Sequence, residues 1–346
     1  MKLAVLFGGS SFEHEISIVS AITMQKVFKR TELVNIFVSE SREFFLIEKK
    51  DMKSKYFSSG DYKKAKKLQL QKGSFVSGSM FGDKKVEFDT LLNLIHGRDG
   101  EDGKIASLME FFSIPYISPR LEASALSYNK LFTKLFAQSI GIKTVPYELL
   151  HKNGSREINT SLPVIVKPSR LGSSIGVSIV KDINELDYAL DVAFEFDDLV
   201  LVEPFMSGIK EYNQAGCYTD KWELSIIEEP HKEEFLDFEK KYMDFSRDGK
   251  VTAASVDEAI AVKIQDSFKT VYGNVFKGSI IRCDFFEKDG EIYLNEINPI
   301  PGSMANYLFE NFEEMVIRLS KNLSYEQNIK IDYAYIHSIQ SAKGKA

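Results

Sequence analysis

The chain is poor in cysteine, lacks long apolar runs and carries little excess charge. Its two cysteines, Cys217 and Cys283, do not make a disulfide framework, which excludes small disulfide-dependent scaffolds and favours the reducing cytoplasm. No segment approaches the ~20 consecutive apolar residues that a membrane-spanning helix needs. Because the formal net charge is only -6, we expect neither nucleic acid nor a membrane as partner, and any phosphate site must be local.

Motifs of covalent catalysis and of dinucleotide binding are also missing. There is no Gly-x-Ser-x-Gly elbow, and the five histidines are not spaced as metal ligands. The glycines at 8–9 follow an apolar run but do not continue into Gly-x-Gly-x-x-Gly. What remains is chemistry by positioning and by charge stabilisation.

The chain does have enough apolar sequence for several domains. Its 346 residues are 44% hydrophobic, which supports two or three packed cores. The apolar run Lys2 to Phe7, a glycine loop and the helical pattern Ile16 to Phe28 predict a doubly wound α/β domain with a parallel sheet over 1–119. We expect two α+β domains to follow, at 120–205 and 206–346.

Two charged segments interrupt the predicted elements. Residues 49–72 hold nine lysines and two aspartates, which predicts a solvated surface insertion to which we assign no function. Residues 231–250 are charged and aperiodic, which predicts a mobile loop. The capping-box pattern at 255–258 then predicts a helix that begins after Ser255 and runs to about Phe276.

The most informative segment is a hairpin that turns at 288–290. On its first strand Arg282 and Asp284 share a face, because side chains alternate along a strand. Glu296 and Asn298 share a face of the second strand in the same way. A three-residue loop with a left-handed glycine would put all four on one face, whereas a two-residue Asp-Gly turn would separate the two pairs.

This polar face has two interpretations. Two carboxylates, an amide oxygen and an arginine are costly to bury without a counter-ion, and hard oxygen ligands suit magnesium bound to a triphosphate. The alternative is a solvated surface ladder of compensating charges. We favour the metal-triphosphate site.

Three polar loops follow apolar strands. Lys167 to Gly176 is rich in small residues, as a phosphate-covering loop must be, although its lysine precedes the glycines; an ordinary turn is the alternative. Glu13 stands at a helix N-terminus, where it either recognises a substrate ammonium or complements the helix dipole. The loop His96 to Gly103 is positioned to line the same cleft.

As a set, these residues resemble the D-alanine–D-alanine ligase family over nearly the whole chain, to about residue 323. Each motif is modest alone, but their order and spacing are specific. The resemblance implies an ATP-grasp architecture whose two α+β domains sandwich ATP, a cytoplasmic homodimer, and synthesis of D-alanyl-D-alanine for peptidoglycan. The shared stretches are Leu6 to Ser17, His96 to Gly103, Ser124 to Lys130, Val164 to Gly176, Arg282 to Asp284 and Glu296 to Gly302.

The resemblance also implies a site for ATP and two Mg²⁺ ions, with Mn²⁺ as a substitute. Asp284 and Glu296 would hold one ion, and Glu296 and Asn298 the other. The implied nucleotide-binding residues are Lys130, Lys167 and Lys241 at the phosphates, Glu203, Pro204, Phe205 and Met206 in a hinge that grips adenine through backbone groups, Glu211 at the ribose, and Phe286. One residue is inserted before Glu211 relative to the family.

For the two D-alanine molecules, the resemblance implies a second set. Glu13 would bind the first ammonium, with Ser173 and Tyr242 as hydrogen-bonded companions, Tyr242 lying on a lid at about 231–250. Arg282 and the backbone N–H of Gly302 would stabilise the oxyanion. The residues implied at the second substrate are His96, Tyr307 and Leu308.

The chain departs from the family at Tyr307, where the family usually has a serine. Its phenol offers a similar hydrogen bond from farther away, which puts affinity at the second site in question. Tyr242 favours an amine over a hydroxyl as acceptor, because related enzymes that use D-lactate replace it. Two alternatives stay open: a ligase with another acceptor, such as D-serine, and a catalytically silent nucleotide-binding module.

Overall fold

The computed structural model describes residues 1–78, 82–230, 253–323 and 329–343. An eight-stranded sheet forms the first domain, with strand order β6-β5-β4-β3-β2-β1-β7-β8. Its strands are Lys2–Gly8 (β1), Glu32–Val38 (β2), Phe44–Ile47 (β3), Lys66–Gln71 (β4), Ser74–Ser77 (β5), Lys84–Lys85 (β6), Thr90–Asn93 (β7) and Tyr116–Ile117 (β8). The helices are His14–Val27 (α1), Ser54–Ser58 (α2) and Lys104–Phe111 (α3), with 3-10 turns at Lys49–Asp51 and Asp61–Lys64.

Half of this sheet is parallel, as predicted. Strand β1 pairs in parallel with β2 and β7, and β7 with β8. Its residues Leu3 to Phe7 are fully buried, as a strand covered on both faces requires. The antiparallel extension from β2 through β6 was not predicted.

The lysine-rich segment 49–72 belongs to this domain's core. Its nine lysines are exposed, as predicted. The prediction of a plain surface insertion is nevertheless wrong, because Phe57 and Tyr62 are buried and pack on Phe37, with ring centroids 4.9 and 4.7 Å apart. Strand β4 also pairs with β3. Apolar residues spaced between the lysines therefore cover one face of the sheet.

A second sheet, with order β11-β10-β12-β9, is antiparallel throughout. Two helices meet at Asn129, whose Oδ1 accepts from the backbone N–H groups of Leu131 and Phe132. The elements are Leu121–Tyr128 (α4), Lys130–Ser139 (α5), Glu148–His151 (β9), Val164–Pro168 (β10), Ser178–Val180 (β11), Leu186–Phe194 (α6) and Leu199–Pro204 (β12), with a 3-10 turn at Ile183–Glu185.

A third antiparallel sheet has order β14-β13-β15-β16. The helix that follows β14 along the chain is capped by Asp257 and not by Ser255. It ends at Tyr272, before the predicted end at Phe276. The elements are Lys210–Tyr218 (β13), Trp222–Glu228 (β14), Glu258–Tyr272 (α7), Ile281–Lys288 (β15), Glu291–Asn298 (β16), Phe312–Lys321 (α8) and Ala334–Lys343 (α9), with a 3-10 turn at Gly302–Leu308. The predicted domain boundaries at 119 and 205 stay predictions.

The β15–β16 hairpin brings the four polar residues together by a route that was not predicted. Lys288 pairs with Glu291, so of the two alternatives the loop is the two-residue turn at 289–290, with φ of +52° and +80°. A register shift then skips Asn295: Phe285 pairs with Leu294, whereas Asp284 pairs with Glu296. This bulge reverses the separation that the tight turn would impose. All four polar residues therefore share one face.

Across 1–78, 82–230, 253–323 and 329–343, no helix is both long enough and apolar enough to cross a membrane.

Candidate active site

The predicted loops and the hairpin converge on one cleft. Glu101 reaches it from the loop after β7, and Lys130 from the start of α5. Gly172 comes from the loop between β10 and β11, and Glu296 and Asn298 from β16. Each of the three sheets thus has a neighbouring polar group at the same place.

Glu13 is a buried carboxylate that is only partly satisfied. Ser173 donates a 2.6 Å hydrogen bond to its Oε1 across the first and second domains, while Oε2 has no hydrogen-bond partner among the described residues. Burial, together with the charge of Glu101, raises the pKa of Glu13 to about 7. A Cβ at Gly97 would lie 2.4 Å from Oε2, so glycine keeps this space open. Such a carboxylate suits a cationic ligand group.

The loop that supplies Ser173 is held in an unusual backbone conformation. Leu171, Ser173 and Ser174 all have positive φ, of 102°, 56° and 59°. Lys130 donates from Nζ to the carbonyl of Leu171, which ties the loop to α5. Burial lowers the pKa of Lys130, although the charge of Glu296 opposes this. The lysine therefore lies between the loop and the hairpin face.

A second buried cluster surrounds Glu203 at the end of β12. Lys167 Nζ lies 2.7 Å from Glu203 Oε2, and Lys134 Nζ lies 2.9 Å from Oε1. Burial alone would raise the pKa of Glu203, but the two lysines outweigh it and hold that pKa below its usual value. The side chain of Glu203, predicted only as a hinge residue, thus fixes the position of Lys167, which was predicted to contact the phosphates.

The hairpin face matches the donor set expected of a magnesium site. Asp284 faces Glu296 across the paired strands, and Asn298 donates to Asp284 Oδ2 at 3.0 Å. Arg282 binds both oxygens of Asp284, at 2.7 and 2.9 Å. The described part of the chain has no cluster of three His, Cys, Asp or Glu able to hold a metal. Two carboxylates and one amide oxygen nevertheless fit Mg²⁺, because this ion commonly takes its other ligands from substrate phosphates and water.

His96 is held by the protein at both ring nitrogens. Its Nδ1 lies 2.8 Å from the carbonyl oxygen of Ile300, so Nδ1 donates. Its Nε2 then accepts from the hydroxyl of Ser20 at 3.0 Å, and Ser20 Oγ accepts the backbone N–H of Ser303 at 3.1 Å. His96 therefore fixes the loop that carries Gly302, while direct contact with substrate stays a prediction.

That loop contains three consecutive left-handed residues. Ser303, Met304 and Ala305 have φ of 47°, 53° and 50°, a conformation that costs about 1–2 kcal/mol per residue for L-amino acids. All three are buried, and the bond from Ser303 to Ser20 anchors them to α1. The packed surroundings hold the backbone beside Gly302 in a fixed orientation.

Tyr307 and Leu308 lie at the end of this turn. Burial raises the pKa of Tyr307, and Arg282 opposes the shift, which places the phenol beside the guanidinium. Leu308 is buried against Ala215 and Ala305. The structure therefore associates Tyr307 with the predicted oxyanion residue.

The predicted adenine and ribose residues lie along β12, β13 and β15. Pro204, Phe205 and Met206 are half-buried where β12 ends, and Phe205 donates its backbone N–H to Pro163 at 2.9 Å. Glu211 pairs with Phe286 across β13 and β15, so both are neighbours in one sheet. Lys241, Tyr242 and the lid at 231–250 lie outside the described residues.

Sequence reasoning missed Lys134, Ser20 and the role of Glu101. Lys134 lies one helical turn after Lys130, so the four-residue spacing on α5 was a usable signal. Glu101 belongs to the polar loop that was noted but received no role. Ser20 had no signal, because a serine within an amphipathic helix is unremarkable.

The comparisons with known proteins agree with this geometry. Residues 2–119 match the family described as D-ala D-ala ligase N-terminus, and residues 136–332 match D-ala D-ala ligase C-terminus. A curated D-alanine--D-alanine ligase of Sulfurovum sp. (strain NBC37-1) is 69% identical over 346 residues, which is 100% of both chains. One of Wolinella succinogenes is 58% identical over the same length, again 100% of both chains.

A solved structure has the same fold. The crystal structure of D-Alanine-D-Alanine Ligase from Helicobacter pylori superposes with a TM-score of 0.84 at 47% identity, covering 94% of this chain and 100% of that chain. The prediction of family and fold is confirmed. The chain belongs to the D-alanine–D-alanine ligase family.

Proposed function

We propose that the cleft joins two D-alanine molecules to D-alanyl-D-alanine with conversion of ATP to ADP, and that the residues gathered there divide the work in two stages. The observation that carries the proposal is the hydrogen bond from Ser173 to Glu13. It holds the Glu13 carboxylate against the loop whose Gly172 lines the same cleft as Lys130, Glu296 and Asn298. An ammonium site and a phosphate site thereby adjoin.

In the first stage Glu13 holds the ammonium of one D-alanine. The carboxylate of that D-alanine attacks the γ-phosphate of ATP, which gives an acyl phosphate and releases ADP. Lys130 and Lys167, with Lys241, hold the phosphates by charge. Asp284, Glu296 and Asn298 would hold two Mg²⁺ ions, or Mn²⁺ in their place, and the bound cations would neutralise phosphate charge. Phosphoryl transfer of this kind needs alignment and cations, so no protein nucleophile is required.

In the second stage the amine of the other D-alanine attacks the acyl carbon and phosphate departs. Arg282 and the backbone N–H of Gly302 bind the oxyanion, an arrangement in which losing one donor costs ~10²- to 10³-fold in rate. Tyr307 and Leu308 contact the second substrate, and Tyr242 on the lid helps to position the first. The hinge Glu203 to Met206, with Glu211 and Phe286, binds adenosine.

The test is ADP release by the purified chain with ATP and Mg²⁺, in the presence of D-alanine, L-alanine, D-serine or D-lactate. We expect release that depends on D-alanine, with the dipeptide as product. A mixed dipeptide formed preferentially from D-alanine and D-serine would replace the acceptor and leave the ATP site standing. No stimulation by any D-acid would refute the substrate assignment.

A homodimer and a cytoplasmic location complete the proposal, on the strength of the family resemblance. Sedimentation of the purified chain tests the first, since a species of one chain at assay concentration would contradict it. Peptidoglycan precursor synthesis is the matching role, because the dipeptide is its substrate.

A further inference from the structure

Lys134 has no role in the proposed reaction, yet it is among the most enclosed charged groups of the described chain. Its side chain is 3% exposed, and Nζ lies 2.9 Å from Glu203 Oε1 and donates to the Val145 carbonyl at 2.9 Å. The ring of Tyr147 lies 5.3 Å from the same ammonium. A buried lysine without partners would cost folding free energy, so the groups around Nζ indicate what Lys134 does.

The partner carboxylate is shared. Glu203 is 2% exposed at its side chain and binds Lys167 through Oε2 at 2.7 Å and Lys134 through Oε1. Two ammonium groups and one carboxylate leave a net charge of about +1 in a space that excludes water. Without Lys134, the charge of Lys167 would be cancelled by Glu203.

We propose that Lys134 is a positioning residue for the nucleotide: it neutralises Glu203, so that the charge of Lys167 stays available to the phosphates of ATP. Neither lysine lines the cleft formed by Lys130, Gly172 and Glu296, but the side chain of Lys167 is 10% exposed and that of Lys134 only 3%. Lys134 acts through Glu203. This inference rests on the proposed contact between Lys167 and the phosphates.

The competing explanation is structural. A buried lysine that bridges α5, β12 and the segment before β9 also fastens the domain, and its loss would weaken folding without any preference for nucleotide. The two explanations differ in what happens when Glu203 is neutralised together with Lys134. Only the charge explanation predicts that nucleotide binding returns, because Lys167 then keeps its charge.

The experiment measures ADP binding by calorimetry in the presence of Mg²⁺, together with the KM values for ATP and for D-alanine, using the full chain. For Lys134→Met we expect a Kd for ADP at least about 10-fold higher and a raised KM for ATP, with the KM for D-alanine within about twofold. For Lys134→Met with Glu203→Gln we expect binding to be rescued to within about threefold of the wild-type Kd, because the hinge is proposed to grip adenine through backbone groups that Glu203→Gln keeps. Lys143→Met is the control, since Lys143 is exposed and pairs with Glu291 at 2.5 Å.

Each outcome decides. Unchanged ADP binding by folded Lys134→Met overturns the proposal, and so does a double variant as weak as the single one. If Lys134→Met does not fold, the double variant still decides, because it keeps the net charge of the cluster at about +1 with Lys167 as its one ionised group; a Kd raised 10-fold there rejects the proposal. Lys167→Met tests the proposed contact between Lys167 and the phosphates separately from the role of Lys134. Normal ADP binding by that variant refutes the contact itself.

Discussion

Glu13 and Glu203 are two buried glutamates of one enzyme, and their pKa values are shifted in opposite directions. Their residues are 7% and 1% exposed. Burial raises the pKa of Glu13 to about 7, whereas at Glu203 the same effect is outweighed by Lys167 and Lys134, which lower the pKa. The cationic partners, and not the burial, decide the charge state.

We infer from this difference that the Glu203 carboxylate stabilises the fold, whereas the Glu13 carboxylate is available to a ligand. Glu203 is compensated by two lysines of the chain itself: its Oε1 has no hydrogen bond among the described residues but lies 2.9 Å from the Lys134 ammonium, and Lys167 pairs with Oε2. Glu13 has one hydroxyl on Oε1, and its Oε2 has no hydrogen-bond partner within the described residues. Glu203 should therefore stabilise the protein, while Glu13 should weaken it and recover the difference when substrate ammonium binds.

The largest expected effect is on activity at Glu13. Glu13→Gln removes the charge that we propose holds the ammonium, so we expect kcat/KM for D-alanine to fall about 10³-fold at pH 8. The fold should persist, because a neutral amide suits the buried position. ADP release gives the rate and circular dichroism the fold. A variant that retains a tenth of wild-type kcat/KM would remove Glu13 from the substrate site.

Glu203→Gln should have the reverse pattern of Glu13→Gln, with its larger effect on stability. It leaves two buried ammonium groups without their carboxylate, and breaking a buried ion pair costs ~3–5 kcal/mol. Deprotonation of Lys134, whose pKa burial already lowers, reduces that cost, so we expect the free energy of unfolding to fall by about 3 kcal/mol. Urea denaturation measures it, with Glu13→Gln as the matched control. Equal stability of both variants would erase the distinction drawn between the two sites.

The pH dependence of stability sharpens the same comparison. A raised pKa means that folded Glu13 binds more protons than unfolded Glu13 between about pH 4.5 and 7, so stability falls as pH rises through that window. At about 1.4 kcal/mol per pKa unit, the loss is about 3 kcal/mol. Glu13→Gln should therefore gain stability relative to wild type between pH 5 and pH 8. A difference that does not change with pH would contradict the shifted pKa.

Local patterns made much of the fold predictable, whereas contacts between distant segments were not. Strands such as Phe44–Ile47 follow directly from apolar runs. The shared polar face of the hairpin was expected with a three-residue turn, but it forms with a two-residue turn and a bulge. In β16 the buried residues are Ile292, Leu294 and Ile297, and the polar pair between the last two is the break in alternation that marks the bulge.

The site divides in the same way. Glu13, Ser173 and the hairpin residues carry short motifs, so sequence predicted that they share a site. The pairing of Lys134 with Glu203 joins segments far apart along the chain, and no local pattern records it. In the lysine-rich segment, charge count concealed Phe57 and Tyr62, which a search for spaced apolar residues would have found.

The smallest expected effect is at the hydrogen bond that Ser173 donates to the Glu13 carboxylate. Ser173 lowers the pKa of Glu13 against the effect of burial, so Ser173→Ala should raise that pKa further and leave less of the ionised form at neutral pH. We expect kcat/KM for D-alanine to fall about tenfold at pH 7 and less at pH 9, with the midpoint of the pH profile moved upward. In a Glu13→Gln background the same substitution should have no such pH dependence, because no carboxylate remains to titrate. A loss that is equal at both pH values would mean that Ser173 supports the loop rather than the charge of Glu13.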